Sequence, residues 1–451
     1  MIRHLIAAAA LLAPVPAIAQ SQQEALDARY DRALAAGYKA LFLCSAIANA
    51  ERAGAERTPE SVMQWELTGI QAPLDGIVGE LPYEIVRADE GGAQVRHVSV
   101  AWAEDMPPRY AVHDTGKGCA LLPIGGEPSP GKVAVRQESH PSAPVVLPKA
   151  AALATALDRG FSPSYGEGAR TTAVLVRRGG DTLGERYVEG FGPDTPQRTW
   201  SVAKSIAATL IGAAVERRDI DVASTAGLGL TDTDPRRAIT VDHLLRMASG
   251  RYSDTPGNRT DPLYFGGATV GERAAVWPLI HAPGTVYRYA NNDTLMAVKA
   301  IEDTFAQHPP AELFDRLGMH DTVAETDWQG NYILSSQVWS TARDLATLGQ
   351  LYLDGGVWNG ERILPEGWTR YVSSPSGPQP DRDFGYGAGF WLFNKSDGVP
   401  ADTFAAMGNR GQYVVIVPSR EVVIVRRGED PPGSGFDIAA FTRNVLAALD
   451  N

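Results

Sequence analysis

Two short strings in this chain carry the residue types that acyl transfer requires. The first is Thr199-Trp200-Ser201-Val202-Ala203-Lys204-Ser205-Ile206, followed by an apolar run through Val215. A serine hydroxyl is a weak nucleophile until a neighbouring base takes its proton, and an amine kept neutral by burial can do that. Lys204 stands three residues after Ser201, the spacing that puts both side chains on one face of a helix. With 23 Ser and 7 Lys in 451 residues, chance alone yields about 0.4 such pairs. Two occur, but Ser129-Pro130-Gly131-Lys132 has Pro and Gly at its centre and cannot be helical. Ser201 is therefore the candidate nucleophile and Lys204 the candidate base.

The second string, Pro283-Gly284-Thr285-Val286-Tyr287-Arg288-Tyr289-Ala290-Asn291, holds the only Tyr-x-Asn among 15 tyrosines. Tyr289 can pass protons between Ser201 and a leaving group, and a nearby Lys204 would favour its phenolate. Asn291 can hydrogen-bond both Lys204 and a substrate amide. Taken singly, each string has a plain structural reading: a capped helix with a stray lysine, or a buried tyrosine after a Pro-Gly turn. Together they favour an active site.

The elements that must position these residues are legible from periodicity. Ile206, Ala207, Leu210, Ile211, Ala214 and Val215 recur at helical spacing, which predicts a buried helix with Ser201 in its first turn. There, free N–H groups and the helix dipole favour developing negative charge. Residues 171–178 and 182–189, around Gly179-Gly180-Asp181, predict a hairpin; 412–417 with 422–427 predict a second. Further helices are expected over 151–158 and 437–449. Thr240 is a predicted N-cap, with Gly250 stopping the helix that carries His243. His243 reads as structural, because no Gly-x-Ser-x-Gly elbow calls for a histidine base.

The two strings stand in order with Asp234-Pro235-Arg236-Arg237 through Ser249-Gly250, Ser340-Thr341-Ala342-Arg343-Asp344-Leu345, Gly356-Val357-Trp358-Asn359-Gly360 and Gly411-Gln412-Tyr413. In this the chain resembles the serine β-lactamase-related family: class C β-lactamases, penicillin-binding-protein-like esterases and, most closely, 6-aminohexanoate-dimer hydrolase-like members. The resemblance runs from about Ala151 to the C-terminus. It implies a β-lactamase/transpeptidase-like α/β (α+β) fold, an antiparallel sheet flanked by helices plus a helical subdomain, with the active site between them. Members place Lys-Thr-Gly, or His-x-Gly, on the strand lining that site. Here the matching region is Ala406-Met407-Gly408-Asn409-Arg410-Gly411-Gln412. By position, Asn409 offers its backbone N–H as the second oxyanion-hole donor beside that of Ser201. No lysine is present there, and Arg410 either points inward in its place or lies on the solvent face.

Composition bounds the rest. The chain is long enough for two domains, and a net charge of −12 without any basic stretch argues against nucleic acid. Residues 1–19 read as a signal peptide: Arg3, an apolar run from Leu5 to Ala13, then Ala17-Ile18-Ala19. No later stretch is expected to reach the roughly 18 apolar residues that spanning a membrane needs. Export to the periplasm or beyond predicts a disulfide between the only two cysteines, Cys44 and Cys119; two buried free thiols are the alternative. No Cys or His cluster has metal-ligand spacing, and no cofactor is implied. Residues 24–125 read as a small α+β accessory domain, 126–150 as a Pro/Gly-rich linker, and 151–451 as the hydrolase domain.

The expected function is an exported serine hydrolase that cleaves a small-molecule amide or ester through a Ser201 acyl-enzyme. The alternatives are a true β-lactamase, or a non-catalytic peptidoglycan- or ligand-binding protein on the same scaffold.

Overall fold

The computed structural model describes residues 15–87, 94–128, 143–253 and 260–450, with side chains from Ser21 onward. Of the signal segment 1–19, residues 1–14 lie outside the described residues and 15–19 are described only as backbone.

The centre is a seven-stranded antiparallel sheet in the order Gly385–Tyr386, Trp391–Leu392, Phe404–Gly408, Gln412–Val417, Val422–Gly428, Thr171–Arg178, Asp181–Tyr187. Both predicted hairpins are present, and they meet where Val422–Gly428 pairs with Thr171–Arg178. The sheet is thus closed by the two ends of the hydrolase segment. The stretches 173–176, 414–417 and 422–425 of its central strands are wholly apolar because both faces are covered. Ala173, Leu175, Val414, Ile416, Val423 and Val425 point to one core, and Val174, Val176, Val415, Val417, Val422 and Ile424 to the other. That is the two-residue alternation of a strand. The second face is sealed by the helices Ala151–Arg159 and Ile438–Ala448. On the first face lie the helices Ala342–Leu353 and Val202–Glu216.

Thr240 caps the short helix Val241–Leu245 as expected. Its hydroxyl accepts from the His243 N–H, and the His243 Nδ1 accepts from the Thr240 N–H, each at 3.2 Å. His243 therefore has a structural role. The helix stops before Gly250, however, with Met247 in a left-handed conformation at φ 57°. The Met247 and Ala248 carbonyls accept instead from the Arg288 and Gly284 N–H groups, at 2.8 and 2.7 Å. This early break ties the helical subdomain to the loop that delivers Tyr289.

The N-terminal segment is a 39-residue helix, Val15–Ala53, and a four-stranded antiparallel sheet in sequence order. By length and composition the helix over 21–53 could cross a membrane, which the sequence reading did not expect; its most apolar 18-residue stretch is buried inside the protein, while residues 21–30 are exposed. Tyr38 stacks on Phe42 and meets Phe265, both at 4.4 Å, and Phe42 meets Trp200 at 5.9 Å and Trp339 at 6.0 Å. Gly37 permits this approach, since a Cβ there would lie 2.0 Å from the Phe265 carbonyl oxygen. The core of the N-terminal segment therefore continues into that of the hydrolase segment. Cys44 and Cys119 are disulfide-bonded. Beside them, the buried Glu325 carboxylate accepts from the Cys119 N–H and the Trp339 Nε1–H, each at 3.0 Å. Of the expected linker, 129–142 lie outside the described residues; Arg343 holds the carbonyls of Ala143 and Pro144.

Candidate active site

The chain enters the nucleophile helix through Trp200, a non-glycine residue in the left-handed region at φ 50°. That conformation is costly, and packing must impose it. The buried Trp200 ring lies against the Arg198 guanidinium (4.3 Å) and Phe42, so the turn is pinned from below. Ser201 follows as the N-cap of Val202–Glu216, one position before the first turn predicted for it. Its hydroxyl makes no capping bond and is left for other partners.

One of those partners is Lys204, whose Nζ is 2.9 Å from Ser201 Oγ, 2.6 Å from Asn291 Oδ1 and 2.9 Å from the Ser335 carbonyl oxygen. Lys204 is 1 % exposed, and burial pulls its pKa down from 10.5 to about 7. In the neutral amine, two hydrogens suffice for Asn291 Oδ1 and the Ser335 carbonyl, which can only accept, and the lone pair is left for the Ser201 hydroxyl.

Tyr289 hydrogen-bonds Ser201, and its ring lies 5.0 Å from Lys204 Nζ and 5.2 Å from the Trp391 ring. One face is open to the cavity, but the hydroxyl is desolvated by its surroundings. Burial pushes its pKa up to about 12, against the lowering by its bonds to Ser201 and Trp391. The expectation that Lys204 would favour the phenolate does not hold: at neutral pH the phenol keeps its proton. The pair can thus divide the work, with Lys204 as base and Tyr289 as acid.

Asn291 opens the helix Asn291–Lys299. With Oδ1 on Lys204, its Nδ2 donates to Thr260 Oγ1 at 3.2 Å. Behind it, the buried Asp293–Arg251 ion pair (2.8 Å) and the Asn292–Ser253 bond (2.8 Å) hold the start of that helix. Asn409 lines the same cavity. Its neighbour Gly408 closes the strand Phe404–Gly408, where a Cβ would fall 2.4 Å from the Thr199 carbonyl oxygen and 3.1 Å from the Ser201 nitrogen. Only glycine lets the strand come this near the nucleophile's amide.

Arg410 takes neither orientation expected of it. It sits in a tight turn at φ 57°, where strand alternation no longer applies. Its buried guanidinium bonds Glu429 (2.6 Å) and the carbonyls of Gly69 (2.6 Å), Trp65 (2.8 Å) and Thr68 (2.9 Å). The charge is fully engaged away from the cavity.

The cavity around Ser201 has a volume of about 510 Å³, and its walls include the aromatic rings of Trp200, Tyr264, Phe265, Phe384, Trp391 and Tyr413. Asp261 stands on one side and Arg382 on the exposed rim. Burial, with Asp31 nearby, pushes the Asp261 carboxyl up to about 6. The sequence reading missed Ser335, Thr260 and these wall residues. The Ser335 contact uses a backbone carbonyl, which has no residue signature, and Asp261 carries no motif. Among the described residues, no three His, Cys, Asp or Glu side chains converge as a metal site would need.

Comparison with known proteins places the chain by family and fold. The family model described as Beta-lactamase matches residues 157–448. The 6-aminohexanoate-dimer hydrolase of Paenarthrobacter ureafaciens is 26 % identical over 366 residues, covering 73 % of this chain and 88 % of its own length. Among solved structures, a penicillin-binding protein homologue from Caulobacter crescentus superposes with a TM-score of 0.53 at 17 % identity, over 68 % of this chain and 98 % of its own. EstCE1, a hydrolase with promiscuous acyltransferase activity, gives 0.52 at 16 % identity, over 66 % and 99 %. These two likenesses are of fold. With the family model matching well over half of its length, the chain belongs to the Beta-lactamase family and is a serine hydrolase of that family.

Proposed function

We propose that the protein is exported and cleaves an amide or ester bond of a small molecule through an acyl-enzyme on Ser201. The observation that carries this reading is the buried Lys204 amine, held 2.9 Å from Ser201 Oγ with its pKa lowered to about 7. Neutral Lys204 takes the hydroxyl proton as Ser201 Oγ attacks the substrate carbonyl. The N–H groups of Ser201 and Asn409 receive the oxyanion, a role consistent with the close approach of Gly408 to the Ser201 amide. Tyr289, protonated and bonded to Ser201, gives its proton to the leaving nitrogen or oxygen as the tetrahedral carbon collapses. The phenolate so formed recovers a proton from the Lys204 ammonium, which restores the neutral base. Water then attacks the ester carbonyl, loses its proton to the same pair, and the acid departs as Ser201 regains its hydrogen.

A linear amide or short ester fits this cavity better than a penicillin. A penicillin's carboxylate needs a cation on the active-site strand, and Arg410 spends its charge on Glu429 and three carbonyls. The relative from Paenarthrobacter ureafaciens is named for a linear amide dimer. Export is supported by the sequence of residues 1–19 and by the Cys44–Cys119 bond, which suits an oxidising compartment. A fluorophosphonate probe tests the nucleophile. Its mass should appear on the peptide containing Ser201 and be absent from Ser201→Ala; labelling of another serine would remove the basis of this mechanism.

A further inference from the structure

Residues 24–125 lie wholly outside the part of the chain that the family model matches, yet one of them lines the catalytic cavity. Gln71 lines it beside the Gly408–Asn409 edge, the only lining residue from that segment among the described residues. No described residue hydrogen-bonds its carboxamide. A half-buried primary amide with both its donor and its acceptor uncommitted suits a ligand with a complementary polar group.

The loop that presents Gln71 is fastened to the hydrolase segment at several points. Arg410 binds the carbonyls of Trp65, Thr68 and Gly69. Arg170 donates to the Gln64 carbonyl at 2.7 Å and lies 4.5 Å over the Trp65 ring, whose edge meets Phe191 at 5.3 Å. Gly69, at φ 64°, is pressed so close to Pro431 that a Cβ would lie 2.7 Å from that ring. Withdrawing the loop would strand the buried Arg410 donors, a costly outcome. Gln71 is therefore held in place before any ligand arrives, which lowers the entropy cost of using it.

The strand Phe404–Gly408 shows which part of a substrate it would meet. At one end Trp391 pairs with Ala405, and Tyr289 packs on Trp391. At the other end Asn409 and Arg410 lead to the Gln71 loop. Tyr289 must face the leaving group to protonate it, so the acyl portion extends the opposite way, toward Gln71. We propose that Gln71 selects the acyl part of the substrate, favouring a chain that carries a neutral hydrogen-bonding group such as an amide over a bare alkyl chain. This rests on the reading of Ser201 and Tyr289 given above. It makes the N-terminal segment a working wall of the pocket.

The test compares p-nitrophenyl esters in pairs of equal acyl length, one series ending in a carboxamide (succinamate, glutaramate, adipamate) and one in a methyl group. In Gln71→Leu, kcat/KM for the best carboxamide ester should fall roughly two- to tenfold, the worth of one neutral hydrogen bond, mainly through KM. The methyl-ended partner should change by less than about twofold, which also reports an intact fold and nucleophile. Equal losses in both series, or no loss in either, overturn the proposal. If the wild-type protein hydrolyses neither series and Ser201 resists the fluorophosphonate, the acyl-enzyme reading fails instead. Quenching of Trp200 and Trp391 fluorescence by the corresponding free acids then decides the role of Gln71. Wild type should hold the carboxamide acid more tightly than Gln71→Leu does, and equal affinities overturn the proposal.

Discussion

Replacing Lys204 with methionine should separate catalysis from stability, and the separation should depend on pH. The buried amine has its pKa lowered from 10.5 to about 7 by desolvation. Between those two values the unfolded chain holds a proton that the folded protein does not, so folding becomes more favourable as pH rises. At pH 7 the unfolded lysine is protonated and the folded one is half protonated. By pH 9 the folded amine is neutral and the unfolded one still largely charged. Linkage then gives the wild type a gain of about 2 kcal/mol from pH 7 to pH 9 that Lys204→Met lacks. The variant escapes the desolvation cost but strands the Ser335 carbonyl and Asn291 Oδ1, at roughly 1–3 kcal/mol each. Urea titrations of both proteins at pH 7, 8 and 9, followed by tryptophan fluorescence, measure the difference directly. Catalysis should move the opposite way: Lys204→Met should lose about 10²–10⁴-fold in kcat/KM. In the wild type, kcat/KM should climb tenfold per pH unit below about 7 and level off above it, because the pKa of Tyr289, at about 12, lies too high to cut the plateau. Parallel stability profiles for the two proteins would refute the claim that Lys204 is buried as a neutral base.

Three further outcomes follow from the same geometry. Tyr289→Phe should lower kcat by about 10²-fold or more with little change in KM, and most for amides, whose poor leaving groups need the proton, as steady-state kinetics would show. Protein taken from the periplasm and denatured without reductant should show no alkylatable thiol. Reduction should then cost up to about 4 kcal/mol by the chain-entropy model for a separation of 75 residues, measured as a lower urea midpoint. Nitrocefin should be turned over more slowly than the best short ester or linear amide, because Arg410 is committed elsewhere; the reverse order would point to Arg382 as a carboxylate anchor.

Much of the fold was legible because it is written in local periodicity. The hairpins at 171–187 and 412–428 are marked by apolar runs around Gly-Gly-Asp and Pro-Ser-Arg-Glu, and both formed with nearly the expected bounds. The break at Met247 was not legible. Thr240 and Gly250 bracket a plausible longer helix, and what stops it is a pair of bonds to Gly284 and Arg288, far away in sequence. Neither the membrane-like apolarity of the first helix nor its destination was read from the sequence. A stretch apolar enough for a membrane lies instead in the protein core, with Phe42 under the nucleophile turn.

What the sequence determined by itself is the pairing of Ser201 with Lys204, because a three-residue separation on a helix leaves the two side chains little choice but to meet. Tyr289 and Asn291 were identified by motif, since two residues chosen for their chemistry share one short string. Tertiary structure alone decided the rest. The state of Lys204 depends on burial and on the Ser335 carbonyl, which any residue could supply. Whether Tyr289 is acid or base depends on how far its hydroxyl is removed from water. The direction of Arg410 depends on a left-handed turn and on Glu429 and three carbonyls from another part of the chain. Each of these is a property of a surrounding, and a surrounding is assembled from residues hundreds of positions apart.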